Sequence, residues 1–222
     1  MAWVNALFVE IAVVLVAAPL AGVALAPRRL AKPGTAAARA WRALWPLVAG
    51  AALVTIGSAV AFAILTSGVG AARIAASHVV LWTAAIALSA IGSWCATQFM
   101  DPLDAAGCAL AATMTPALGV LVAGPMAIQA PTGVINASLV ASPVVAIASA
   151  ADIDLFRTPL LYHLSPLAHT RFDYPSWSAA AAVYVAVALL CSAAIAFRCR
   201  PGPAGPGIPS TRSHVVAGGF VS

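Results

Sequence analysis

Six acidic residues and four histidines are the side chains here that could move a proton, bind a metal or act as a base. Asp152, Asp154 and Asp173 share one polar stretch, ADIDLFRTPLLYHLSPLAHTRFDYPSW (151–177), with His163 and His169. Ligating pairs on a helix stand three or four residues apart. Here the histidines are six apart with Pro166 between them, which points to histidines at the membrane surface, in water or beside an Asp, rather than to a metal site. Glu10 is the only charged residue inside an apolar window, and an acid at the middle of a span costs about 2.5–3.5 kcal/mol to insert. It is either functional or, if the span begins near Ile11, a residue of the interface. Asp101 before Pro102 fits a helix N-cap with proline at the first helical position, and Asp104 adds a first-turn charge that complements the helix dipole. His78 stands at the edge of an apolar window with no second histidine opposite it, which speaks against haem ligation. Neither catalytic residues nor a cofactor site is expected.

The elements that must position these residues are apolar. Of 222 residues 63% are hydrophobic and 8% charged, where soluble domains carry about a quarter charged residues. Mean hydropathy is +1.00. A hydrocarbon core needs about 20 apolar residues per crossing, and such windows lie near 4–26, 43–65, 78–100, 108–127 and 178–197, with a shorter one at 134–151. The expectation is an all-α, polytopic transmembrane bundle of five or six spans, a single domain over 1–197 in a cell membrane. Ala, Gly, Ser and Thr dominate the windows and permit close helix approach. The tail 198–222, rich in Pro and Gly, reads as disordered. The first window is read as a retained span, since no Lys or Arg precedes it. Cys95, Cys108, Cys191 and Cys199 lack metal or CxxC spacing and read as small hydrophobes.

Basic residues beside spans mark the cytoplasmic side. If 134–151 dips in and returns, Arg28, Arg29, Lys32, Arg39, Arg42, Arg198, Arg200 and Arg212 share the cytoplasm, leaving Arg73, Arg157 and Arg171 outside. If it crosses, the tail arginines join Arg73 outside instead. The composition of GVINASLVASPVVAIASA, with Asn136, three serines and Pro143, favours a broken or re-entrant segment, tolerated at membrane depth where protein covers its backbone. On that reading the stretch from Asp152 to Trp177 is an interfacial gate or lid. Proline divides it, Tyr162, Tyr174 and Trp177 suit the headgroup layer, Leu155 and Phe156 belong to its apolar face, and Arg157, His163, His169, Arg171 and Asp173 to its polar one. The basic run PRRLAKPGTAAARAWR beside so many spans reads as topogenic rather than as a nucleic-acid patch.

Three stretches, ALSAIGSWCATQFMDPLDAAGCALAAT, ASPVVAIASA and LLYHLSPLAH, resemble the membrane subunits of ABC-2 type transporters, within Ala87 to His169. The resemblance implies an outward re-entrant hairpin before the last span, a homo- or heterodimer of membrane subunits, and a cytoplasmic loop receiving a separate ATP-binding subunit. PRRLAKPGTAAARAWR would occupy that loop, with Arg39 and Arg42 as candidate contacts, although it lacks acidic residues. The chain carries no GxxxxGK[ST] motif, so ATP hydrolysis would have to come from the partner. The expected function is a permease-like subunit of an ATP-driven transport system. A non-catalytic scaffold or assembly factor of a larger membrane complex is the alternative, and an enzyme built on the 152–173 cluster stands behind both.

Overall fold

The computed structural model describes residues 2–30, 70–122, 130–157 and 173–198, with a few isolated positions between 35 and 60. Among the described residues the fold is all α. Helix α1 covers Ala2–Leu30, α2 Ala71–Cys95, α3 Pro102–Val122, α4 Thr132–Ala141, α5 Pro143–Ala150 and α6 Trp177–Arg198, with a 3-10 turn at Leu155–Arg157. Three helices, α1, α2 and α6, are long and apolar enough to cross a membrane, or four spans if the bent pair α4–α5 counts as one. The expected windows at 43–65 and the end of 108–127 lie largely outside the described residues, as does the tail from 199 onward.

Helix α2 is the centre of the bundle. In its most apolar stretch 67% of residues are buried, against 33% for α1 and 28% for α6. The other two present Val9, Val13 and Val16, and Val183, Leu189, Leu190 and Phe197, to the outside. Large exposed apolar faces suit helices with lipid on one side.

Contacts at both ends fix the helix directions. Glu10 meets His78 near the starts of α1 and α2, and the Ser93 hydroxyl donates to the Gly22 carbonyl at 3.2 Å near their ends, so the two helices run parallel. Helix α6 runs the same way: Ser149 Oγ donates to the Pro175 carbonyl at 2.9 Å and Arg73 pairs with Asp152, which places the starts of α2 and α6 together. Cys191 comes near Cys95 at the other end. Helix α3 runs back, since Val23, Cys95, Ala105 and Ala109 cluster where α2 turns into α3.

That turn follows the sequence expectation. Asp101 Oδ1 accepts the Leu103 N–H at 2.8 Å, and its carbonyl accepts the Ala105 N–H at 3.1 Å. Proline at the first helical position gives up no hydrogen bond, because that N–H has no acceptor inside the helix.

The α1–α2 contact depends on two glycines. A Cβ on Gly92 would overlap the Pro19 carbonyl oxygen, and one on Gly22 the Ser89 carbonyl oxygen. Small residues let backbones approach where no hydrophobic drive brings helices together.

Candidate functional site

The segment before the last helix is broken at Ser142, within the stretch whose composition favours a break. Helices α4 and α5 meet at 84°. Ser142 is extended (φ −83°, ψ 111°) because the ring of Pro143 disfavours the helical region for the preceding residue, and Pro143 itself then opens α5. A break inside apolar surroundings exposes carbonyls that need donors. Tyr184 Oη donates to the Val140 carbonyl at 3.1 Å, while Ser142 Oγ, fully buried, donates to the Ala117 carbonyl at 3.0 Å. Tyr184 is seven residues into α6, so the break lies about 10 Å along the bundle from the start of α6. Helix α5 follows with Pro143, Val144, Val145, Ala146, Ile147 and Ala148 all buried.

At the foot of α5 the chain turns with Asp152 left-handed at φ 58°. The Asp152 N–H donates to the Ser149 carbonyl and the Ile153 N–H to the Ala148 carbonyl, both at 2.9 Å. This is the Schellman pattern, with aspartate at the position glycine usually takes. The Asp152 carboxylate holds the Arg73 guanidinium at 2.6 Å, both side chains more than half exposed. Next to it the Tyr174 hydroxyl donates to Asp154 Oδ1 at 2.6 Å and accepts the Phe156 N–H at 3.4 Å. The two rings lie 6.3 Å apart.

The stretch expected to rest on the membrane surface is therefore partly built into the bundle. Leu155 and Phe156 are buried in the main core rather than laid on lipid. Asp173 is exposed in the irregular segment leading to α6. Arg157 closes the 3-10 turn, and only its backbone is described. Tyr162, His163, His169 and Arg171 lie outside the described residues, as do Arg39 and Arg42 of the basic loop.

A second polar site is one the sequence reading divided between two edges. Helix α1 begins at Ala2, not near Ile11, and α2 begins at Ala71, before its apolar window. Glu10 and His78 thus stand about two turns inside the starts of their helices, on facing sides. His78 Nε2 is 3.4 Å from Glu10 Oε2, and Nδ1 is 2.7 Å from the Ile74 carbonyl. His78 is 1% exposed, and the Glu10 side chain 22%. Ser77 Oγ, which donates to the same Ile74 carbonyl, is 3.5 Å from Nδ1. Arg73 and His78 lower the hydropathy of the first turns of α2, which is why a hydropathy window starts too late there. The signal that would have found the pair is two ionisable residues at matching depths near the starts of two apolar segments.

Elsewhere, the Cys95 thiol donates to Cys108 Sγ at 3.8 Å beside the α2–α3 turn. No group of three or more His, Cys, Asp or Glu converges among the described residues.

Compared with protein-family models, curated proteins and solved structures, the chain matches none of them.

Proposed function

We propose that the chain is a permease-like membrane subunit of an ATP-driven transporter of the ABC-2 kind, working as a dimer with a separate ATP-binding subunit. The observation that supports this reading is the buried, broken α4–α5 segment directly before the last helix, where the ABC-2 resemblance puts a re-entrant hairpin. Helix α3 runs toward the end of the bundle that carries Arg73 and Asp152, and α5 finishes at that same end. The segment between them enters to about the depth of Tyr184 and returns.

With α1, α2 and α6 parallel and α3 antiparallel, the chain crosses five times if the apolar window 43–65 supplies the return between α1 and α2. Arg28, Arg29 and Arg198 then share one side with the α2–α3 turn, and Arg73, Arg157 and Asp173 the other. The richer basic side is cytoplasmic. The basic loop with Arg39 and Arg42 faces the ATP-binding partner, and the cluster around Asp152, Asp154 and Tyr174, with the residues up to Trp177, forms the outer gate at the hairpin mouth.

The test is affinity purification of the full-length chain from its own membranes. A co-purifying chain with GxxxxGK[ST], and ATP hydrolysis by the complex, is the expected result. Stable association with membrane proteins that include no ATP-binding chain favours the scaffold reading instead.

A further inference from the structure

We propose that Cys95 and Cys108 form a reversible disulfide across the α2–α3 turn, made and broken by exchange with small disulfides and thiols. The site is independent of the transport reading above.

The sequence hides this pair. The two residues are 13 apart, without CxxC spacing, and each alone reads as a small hydrophobe. The fold brings their sulfurs to 3.8 Å, with both thiols free. Cys191 of α6 stands close to Cys95, so three of the chain's four cysteines, from three helices, gather at one end of the bundle. Packing asks only for small side chains there. Ala105 and Ala109, on the same face of α3 as Cys108, fill the rest of the cluster with Val23.

The geometry suits exchange. Bonded sulfurs stand about 2.05 Å apart, so each has about 0.9 Å to move, the scale of a side-chain rotation. The backbone around them is held in place. The Cys95 carbonyl accepts the Gln98 and Phe99 N–H groups at 2.9 and 3.3 Å, and the Asp101 carboxylate caps α3 at Leu103. Two thiols confined in this way meet far more often than two free in solution, which favours the closed disulfide over two mixed ones.

The two sulfurs differ in access, and this sets the order of steps. Cys95 is fully buried, whereas Cys108 is partly exposed. Asp104, one turn nearer the end of the bundle on the same face of α3, is exposed. An incoming small disulfide, RS–SR, therefore reaches Cys108 first. The Cys108 thiolate attacks one of its sulfurs, the S–S bond breaks, and the departing RS⁻ takes up the proton that Cys108 lost. Cys95 then attacks Cys108 Sγ, giving its proton to the second RS⁻ as that group leaves. In sum the two cysteines lose two electrons and two protons, and one small disulfide becomes two thiols. Excess small thiol runs the same steps backward. The ring so closed ties the end of α2 to the second turn of α3 and constrains the turn between them.

The experiment uses the full-length chain in mixed micelles, equilibrated with hydroxyethyl disulfide and mercaptoethanol, blocked with N-ethylmaleimide and cleaved at methionine with cyanogen bromide. Because the methionines are Met1, Met100, Met114 and Met126, Cys95 falls in fragment 2–100, Cys108 in 101–114, and Cys191 with Cys199 in 127–222. Each pairing thus gives a different joined fragment. The expected product is 101–114 joined to 2–100 and released by excess mercaptoethanol, with hydrogen exchange of the turn amides slowed about tenfold or more in the joined form. In Cys95→Ala the reaction should stop at Cys108 carrying one small thiol. Recovery of 101–114 unjoined, its joining to 127–222 instead, equal joining in chains unfolded with dodecyl sulfate, or an unmodified Cys108 in Cys95→Ala would each overturn the proposal.

Discussion

The two halves of the bundle are held together differently. Toward the α2–α3 turn, the half read as cytoplasmic, α1 and α2 meet backbone to backbone at Gly22 and Gly92, and Val23, Ala105 and Ala109 fill the gap to α3. Toward the opposite end lies the main apolar core, and polar contacts run through and around it: Glu10 with His78, Ser142 with Ala117, Tyr184 with Val140, Arg73 with Asp152, Tyr174 with Asp154. Close packing has no adjustable term, since a carbonyl either fits against a glycine or does not. Hydrogen bonds can be exchanged for others at modest cost.

The largest effect is expected at the packed end. Gly92→Val drives side-chain atoms into the Pro19 backbone, which cannot rotate away, and should cost about 3 kcal/mol or more, at the top of the range for overpacking. Unfolding in micelles reads this directly. Gly107→Ala is the control, because a Cβ there meets nothing within 4 Å. It should stabilise α3 by about 0.5–1 kcal/mol, the usual preference of a helix for alanine. Equal losses in the two variants would remove the distinction between the packed end and ordinary helix surface.

At the polar end, Ser142→Ala removes the donor from the α4–α5 break to the Ala117 carbonyl of α3, and Tyr184→Phe the donor from α6 to the Val140 carbonyl of α4. Each is expected to cost about 1 kcal/mol, the scale of interhelical hydrogen bonds in membranes. Hydrogen exchange of the α4 and α5 amides should rise in both variants while the α1 amides keep their protection. Protection lost equally throughout would mean that the two halves open as one unit.

The α2–α3 turn provides a smaller test. Asp101→Ala should cost about 1 kcal/mol and Asp101→Asn only a few tenths, because asparagine still accepts the Leu103 N–H. Complete loss of function in a well-expressed Asp101→Asn protein would assign the carboxylate a role beyond capping. Smallest of all is Arg73→Gln, expected within about 0.5 kcal/mol and weaker in high salt, since both partners are solvated.

The sequence was most legible where one residue dictates local geometry. Asp101 with Pro102 marks the start of α3, and Pro143 stands at the α4–α5 break, because a ring and a cap act over a few atoms. Helix starts were less legible where a polar residue sits inside. Averaging hydropathy across Arg73 and His78 moves the apparent start of α2 later, and the same averaging invites Glu10 to be placed outside α1. What hydropathy cannot express is that each polar side chain is compensated by a group on another element: Arg73 by Asp152, His78 by Glu10. Similarly, Leu155 and Phe156 read as the apolar face of a surface segment, because nothing local shows that Phe156 folds inward over Tyr174.

The claim that the α4–α5 segment enters and returns is tested most directly by sidedness. In a background lacking the native cysteines, Met100→Cys in the α2–α3 turn, Asp173→Cys before α6 and Ser213→Cys in the tail would be labelled in intact cells with a membrane-impermeant thiol reagent. Only Asp173→Cys should react from outside, with Met100→Cys and Ser213→Cys shielded until the cells are opened. Reaction of Ser213→Cys from outside, with Asp173→Cys shielded beside Met100→Cys, would show that residues 132–150 cross the membrane and would contradict the re-entrant hairpin.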